Sequence, residues 1–405
     1  MWQGVVRPRP GLDALLDAIE QLQGAPIPVS VLEPEVLAAR VEGYRPGDLD
    51  LLMAAGEVVW LGVEPLGDRD GRIALYLTDH LRALVPPAEA VERTGLPAAI
   101  MEHLKTAGAS FFPAIHAACG GGFPQEIVDA LWDLVWAGVV TNDTFHAVRA
   151  FVAPPPRTRR DRDTRAYRSR RAAPPEAQGR WSLVAPRVGE RPSSTEWATG
   201  IARQLLNRHG ILTREAVAAE GLRGGFSTVY EVLKTMEESG RIRRGLFVGG
   251  LGAMQFALPA ALDLLRSVRD EPESTQVAHL AATDPANPYG AILKWPAPPG
   301  APREGRGPTR TAGATVILVN GRLAAYLARG DRQLSVYLPD AEPTRTNAAR
   351  AVASRLFQLA TAAEGRRGML ITQVDAVDVG EHPLAPYLLE AGFVRGAMGL
   401  QASRR

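Results

Sequence analysis

Apolar residues recur at helical spacing between Leu12 and Leu22, at Leu12, Leu15, Leu16 and Ile19, and Gly24-Ala25-Pro26 stops the run. The pattern predicts an amphipathic helix with one buried face. Ser30 is placed to cap a second helix, and Arg45-Pro46-Gly47-Asp48 leads into a third over 49–55. Glu57-Val58-Val59-Trp60-Leu61-Gly62 and Arg72-Ile73-Ala74-Leu75-Tyr76-Leu77 then read as strands around the turn Gly67-Asp68-Arg69-Asp70-Gly71. Further along, 213–220 and 227–239 read as two short helices separated by Gly221-Leu222-Arg223-Gly224-Gly225, the punctuation of a helix-turn-helix. A glycine-rich hairpin tip follows, joining two short apolar strands between Arg243 and Leu258. Helices followed by such a hairpin are the layout of a winged helix, and residues 1–86 repeat it. A weaker copy spans 87–152, where Phe123-Pro124-Gln125 opens a helix over 126–136 and Gly138-Val139-Val140 begins a strand. The period is roughly 70 to 90 residues.

The last third is β-rich. Thr315-Val316-Ile317-Leu318-Val319, Leu323-Ala324-Ala325-Tyr326-Leu327 and Leu334-Ser335-Val336-Tyr337-Leu338 are joined by the hairpin signals Asn320-Gly321 and Arg329-Gly330-Asp331. Met369 to Val374 and Phe393-Val394 supply further strands, with one helix over 347–364. A small mixed barrel or sheet fits this economy. The expected fold is α+β: winged helices over 1–86, 87–152 and 181–270, an Arg/Pro-rich linker over 153–180, and a β-barrel-like domain over 271–405.

Composition narrows the function classes. A chain of 405 residues, 46% of them apolar, can bury two to four cores. No run of about 18 apolar residues occurs and the N-terminus has no charged-then-apolar signal, so neither a membrane span nor secretion is indicated and a cytoplasmic location is expected. The single cysteine, Cys119, excludes an internal disulfide and speaks against a cysteine-based zinc site. Lys105, Lys234 and Lys294 are the only lysines among 46 basic side chains. That bias suits phosphate contacts by arginine and equally reflects a GC-rich coding sequence. The formal net charge of +2 leaves any DNA-binding face to local clustering. One cluster lies in the linker, where Arg157, Arg159, Arg160, Arg162, Arg165, Arg168, Arg170 and Arg171 face only Asp161 and Asp163. Such a segment is expected to bury no core, and either tracks phosphates, with Tyr167 stacking on a base, or serves as a solvated tether.

Several chemistries lack their residues. No Gly-x-x-x-x-Gly-Lys-Ser/Thr loop is present, so the chain has no basis for ATP hydrolysis. No Gly-x-Ser-x-Gly elbow supports a hydrolase. His103, His116 and His146 lack ligand spacing, so neither a metal nor a cofactor is expected. Trp132 and Trp136 share one helical face and form either core or a subunit contact.

Ordered motifs then carry a family resemblance: Gly179-Arg180-Trp181-Ser182-Leu183, the wing ending Gln255-Phe256-Ala257-Leu258-Pro259, Ala282-Thr283-Asp284-Pro285-Ala286-Asn287-Pro288-Tyr289-Gly290, and Val319-Asn320-Gly321-Arg322 followed by Ala325-Tyr326. They resemble the C-terminal region of Lhr, the bacterial large helicase-related proteins. The resemblance covers nearly the whole chain and implies tandem winged helices followed by a β-barrel, similar in layout to AlkZ-type DNA glycosylases, in a DNA-repair setting. Partners implied are single- or double-stranded DNA, an Lhr-type helicase motor in cis or in trans, and further copies in a homo-oligomer. The chain is then a fragment or a stand-alone relative.

Candidate DNA contacts lie in the 181–270 copy. Ser227 or Thr228 starts the recognition helix, with Thr228 and Glu231 forming a capping box; Tyr230 and Lys234 lie on its exposed face, and Arg223, Arg241, Arg243 and Arg244 flank it. Such contacts engage DNA largely without sequence preference. The sharper alternative is a glycosylase excising uracil or an alkylated base, with Asp284 as the acid and Asn287 and Tyr289 lining a base pocket. The same loop is also ordinary turn chemistry. Asp375 and Asp378 are back-up carboxylates or solvated loop residues. AlkZ-type enzymes use a Gln-apolar-Gln motif; Gln21-Leu22-Gln23 matches those letters, but residues two apart on a helix do not share a face, and the match reads as accidental. A third reading is a protein scaffold for the motor.

Overall fold

A computed structural model describes residues 1–86, 93–153, 173–252, 254–269, 272, 274–297, 307–362 and 368–403. The chain forms two compact units. One comprises Pro10–Arg208 with Ser227–Lys234; the other comprises Met1–Arg9, His209–Phe226 and Thr235–Arg405.

In the first unit, α1 (Leu12–Leu22) buries Ala14, Leu15, Ala18, Ile19 and Leu22, the face its periodicity predicted. Ser30 caps no helix: its N–H and hydroxyl donate to Asp70 at 3.2 and 2.5 Å. The next regular helix, α2 (Pro46–Ala54), opens with the Asp48 carboxylate accepting from Arg45 N–H at 2.9 Å. β1 (Ile27–Pro28), β2 (Val58–Pro65) and β3 (Gly71–Leu77) form a sheet in the order β1-β3-β2.

The pattern repeats with α3 (Gly95–Ala107), β4 (Ser110–Phe111), α4 (Phe112–Ala118), α5 (Pro124–Trp136) and β5 (Val140–Asn142). Its central strand is β6 (Arg180–Leu183), giving the order β4-β6-β5. The strand beyond the Arg/Pro-rich stretch thus pairs with strands that precede it, and α6 (His146–Val152) lies within the intervening wing. Most of that stretch, Tyr167 included, lies outside the described residues. Its end packs, contrary to the expectation of a segment that buries nothing. Ala177 is buried, and its carbonyl and that of Glu176 accept from the Trp181 and Trp132 indoles at 3.0 and 3.1 Å. Trp132 is core rather than a subunit contact: it lies 6.4 Å from Trp60, 4.3 Å from Phe151 and 6.0 Å edge-on from Trp181. Such ring pairs add to the apolar area they bury.

The same chain order recurs in α7 (Ser194–His209), β7 (Ile211–Leu212), α8 (Arg214–Ala219), α9 (Ser227–Glu238), β8 (Arg243–Gly245) and β9 (Gln255–Ala257), with strand order β8-β9-β7. The third strand is central in all three sheets. Helix α9 starts at Ser227, but its N-cap is Phe226 and no side chain caps it, so the expected Thr228/Glu231 capping box does not form. Thr213 instead caps α8, accepting from Ala216 N–H at 3.1 Å.

After α10 (Pro259–Ser267) come β10 (Val277–Ala281), β11 (Thr315–Val319), β12 (Arg322–Leu327), β13 (Gln333–Val336), α11 (Thr344–Ala362), β14 (Met369–Ile371), β15 (Gln373–Val374), β16 (Val377–Asp378), α12 (Ala385–Ala391), β17 (Val394–Gly396) and β18 (Gly399–Ala402). The expected barrel is not seen: among the described residues β10-β11-β12-β13-β15-β16 form an open sheet, and β14-β18-β17 a separate one. The reason lies at Thr372. The run 369–374 reads as one strand, but the N–H groups of Thr372 and Gln373 both turn to the Arg332 carbonyl, sending β14 and β15 into different sheets. Two helices rather than one accompany them. Both faces of the large sheet are covered without closure. Ile317, Ala325 and Leu327 join Val352, Ala353 and Leu356 of α11, while Val316, Leu323 and Tyr326 pack with Leu280, Ala282 and Ala314.

Candidate functional site

The loop after β10 buries its polar groups. Asp284 is wholly buried; its Oδ1 accepts from Ala286 N–H at 2.7 Å and its carbonyl from Asn287 N–H at 2.9 Å. Asn287, also buried, donates to the Ala282 carbonyl at 2.9 Å and accepts from Tyr289 N–H at 3.1 Å. The Arg310 guanidinium donates to the carbonyls of Thr283, Asp284, Asn287 and Tyr289 at 2.7–3.3 Å. Tyr289 stacks on Trp295, centroids 6.2 Å apart, and its hydroxyl accepts from Leu323 N–H at 3.3 Å. The structure therefore brings Asp284, Asn287 and Tyr289 together in one hydrogen-bonded, largely buried loop. The Asp284 carboxylate is buried, and its bond to Ala286 N–H is that of a turn.

The back-up carboxylates differ from each other. Asp375, in left-handed backbone conformation, is largely buried, accepting from Val336 N–H at 3.1 Å and lying 3.4 Å from His382 Nε2. It is therefore not a solvated loop residue. Asp378 is exposed and accepts from Gly380 N–H at 2.8 Å.

The wing is a different environment. Arg241, Arg243 and Arg244 are exposed, with Ile242 buried between them, and Arg223 is exposed at the helical turn. Arg241, Arg243 and Arg244 have no ion-pair partner among the described residues. On α9, Ser227 and Lys234 are exposed, Thr228 and Tyr230 half-buried, and Val229 and Leu233 buried. By contrast, α5, the corresponding helix of the preceding copy, buries seven of its residues, Ile127, Val128, Ala130, Leu131, Trp132, Leu134 and Val135.

A polar cluster forms around Gln21 and Gln23 at the end of α1. Gln23 is past the last helical residue, with φ −48° and ψ 127°, so the rule that helical residues two apart face different ways does not apply to it. Gln21 and Gln23 meet the same helix: Gln21 Nε2 donates to the Asn207 carbonyl at 3.3 Å, Gln23 Nε2 to Gln204 Oε1 at 3.4 Å. Gln23 also pairs with His80 Nδ1 at 3.0 Å, and its Oε1 accepts from Leu77 N–H at 2.9 Å. The buried guanidinium of Arg208 donates to the Gln23 carbonyl, placing a cation at the negative end of α1. Tyr76 is pushed up to about 12 by burial, with Arg208 pulling the other way. His80 is exposed, so the cluster reaches solvent along that ring. The signal was three letters long, and helix termination decides its geometry.

Among the described residues no group of His, Cys, Asp and Glu could hold a metal ion, and no helix is long and apolar enough to cross a membrane.

Residues 191–277 and 1–78 each match a family model described as large helicase-related protein, winged-helix domain. Over 96% of its length the chain is 41% identical to the Lhr helicase/probable uracil glycosylase of Mycolicibacterium smegmatis, covering 27% of that protein. It is 36% identical, again over 96% of its length, to the Lhr helicase/uracil glycosylase of Escherichia coli, covering 26% of it. The chain thus spans about a quarter of the length of these relatives. A solved structure, the Streptomyces sahachiroi DNA glycosylase AlkZ, is similar at 16% identity and a TM-score of 0.44, over 87% of this chain and 92% of that one. The chain belongs to the large helicase-related family and corresponds to the C-terminal region of its members.

Proposed function

We propose that this region grips DNA for an Lhr-type repair protein, largely without sequence preference. The observation that carries the reading is the exposed set Arg223, Arg241, Arg243 and Arg244 at the turn and wing of a winged helix. Guanidinium groups at such positions neutralise phosphates, whose geometry does not depend on sequence.

A second reading, that the region excises uracil, is favoured by the Gln21–Gln23 cluster. The relatives are named for two activities, helicase and uracil glycosylase, and this reading takes the second. Hydrolysis of a glycosidic bond needs a positioned water and stabilised charge at the sugar. The Gln23 amide, itself buried, is fixed by Leu77 N–H and Gln204, and the exposed His80 with which it pairs brings the cluster to solvent. On this reading Asp284 holds its loop and takes no part in chemistry.

The test incubates the chain with single- and double-stranded oligonucleotides, with and without uracil, measures binding, then applies alkali. Salt-sensitive binding with cleavage only at uracil supports both readings. Binding without cleavage leaves the first alone, and absence of binding at low salt removes both.

A further inference from the structure

The tip of the 243–257 wing is rich in apolar residues, and its successive side chains Leu246, Phe247 and Val248 have different fates. A Cβ at Gly245 would lie 2.9 Å from the Phe247 ring, because that ring folds back over the glycine. Val248 is half-buried, whereas Leu246 stands 73% exposed. The tip is held rigidly from beneath. Gln255, fully buried, accepts from the N–H groups of Phe247 and Val248, both at 2.9 Å, and donates to the carbonyls of Val248 and Gly252 at 2.9 and 3.1 Å. The Glu215 carboxylate accepts from Gly252 N–H at 3.1 Å. One buried amide thus satisfies four backbone groups of the wing, and among the described residues of the wing Leu246 is the large apolar side chain most open to water, just beyond Arg243 and Arg244.

We propose that Leu246 is a wedge that enters the minor groove of duplex DNA and unstacks one base step, with Arg241, Arg243 and Arg244 holding the flanking phosphates. The inference rests on the DNA-gripping reading above. The adjoining cations select a polyanion over an apolar protein surface. An apolar side chain flanked by arginines is the arrangement that opens a base step and lets more protein surface reach the backbone. A tip already ordered by Gln255 loses little freedom on insertion, so more of the contact energy goes to unstacking. A locally unstacked step also lowers the cost of turning out a neighbouring base.

The experiment places 2-aminopurine, whose fluorescence rises on unstacking, at successive positions in a short duplex saturated with the chain. The expected result is a rise confined to one or two positions. Leu246→Ala abolishes it and weakens binding about tenfold, the scale of one leucine's apolar burial, while the salt dependence stays unchanged. Leu246→Phe retains the rise. Saturable binding with no rise, or a rise that persists in Leu246→Ala, overturns the wedge and leaves the DNA-gripping reading standing. A chain that does not bind duplex even at low salt overturns both.

Discussion

Replacing Arg241, Arg243 and Arg244 together by alanine tests the wing as a phosphate clamp. All three are exposed, and none has an ion-pair partner among the described residues, so their loss should change unfolding stability by no more than about 0.5 kcal/mol. Each phosphate neutralised on B-DNA contributes about 0.9 to the slope of log affinity against log salt, so three contacts contribute about 2.7. Between about 50 and 200 mM salt, a fourfold change, that slope corresponds to about a fortyfold loss of affinity in the wild type that the variant does not share. The assay is fluorescence anisotropy of a labelled duplex across that range, with a scrambled duplex to confirm indifference to sequence. A slope difference below about one would mean that the wing meets at most a single phosphate, and the clamp would be refuted. Lys234→Ala reports on α9 separately: a drop of about one in slope places its ammonium on a phosphate, and no change removes it from the interface.

Four further outcomes are expected. Arg149→Ala should lower stability by about 3 kcal/mol in urea unfolding, because it strands the Glu33 carboxylate, whose side chain is 11% exposed and which Arg149 meets at 2.7 Å; recovery in Arg149→Met/Glu33→Leu would locate the cost in the stranded charge. Burial works against the Arg149 cation, but its hydrogen bonds to Glu33 and Asp50 win and hold it above the usual arginine range, so the ion pair should persist at every pH short of carboxylate protonation. Gln23→Leu should abolish uracil excision while leaving DNA affinity within about threefold, whereas Asp284→Asn, whose amide oxygen still accepts from Ala286, should keep excision and cost about 1 kcal/mol in stability; the reverse ranking would return the chemistry to Asp284. Gly290→Ala should lower the melting temperature, since its φ is +75° and a Cβ there would lie 2.4 Å from the Trp295 indole nitrogen.

Local pattern was enough for much of the fold. The spacing of Leu12, Leu15 and Ile19, closed by Gly24 and Pro26, predicts α1 to its last residue, and the β-rich apolar run at 315–319 predicts β11 likewise. The wing at 243–257 and its exposed arginines were legible for the same reason: a hairpin's register and the solvation of its tip depend on residues near in sequence. Other features depend on partners far away, and no window of sequence contains them. The strand at 180–183 reads as the start of a new domain until it pairs with 110–111 and 140–142. The run at 369–374 reads as one strand until two N–H groups turn to Arg332. The Asp284 loop has the composition of a reactive loop, and only its packing with Arg310, Trp295 and the sheet face buries its polar groups. Gln21 and Gln23 look misaligned on a helix, and only the helix's end and the approach of 194–209 bring both amides to one place. Propensity and periodicity act over a few residues and were therefore readable in the sequence; strand choice, burial of polar loops and meeting of distant side chains are set by contacts across tens to hundreds of residues, which the tertiary structure alone supplies.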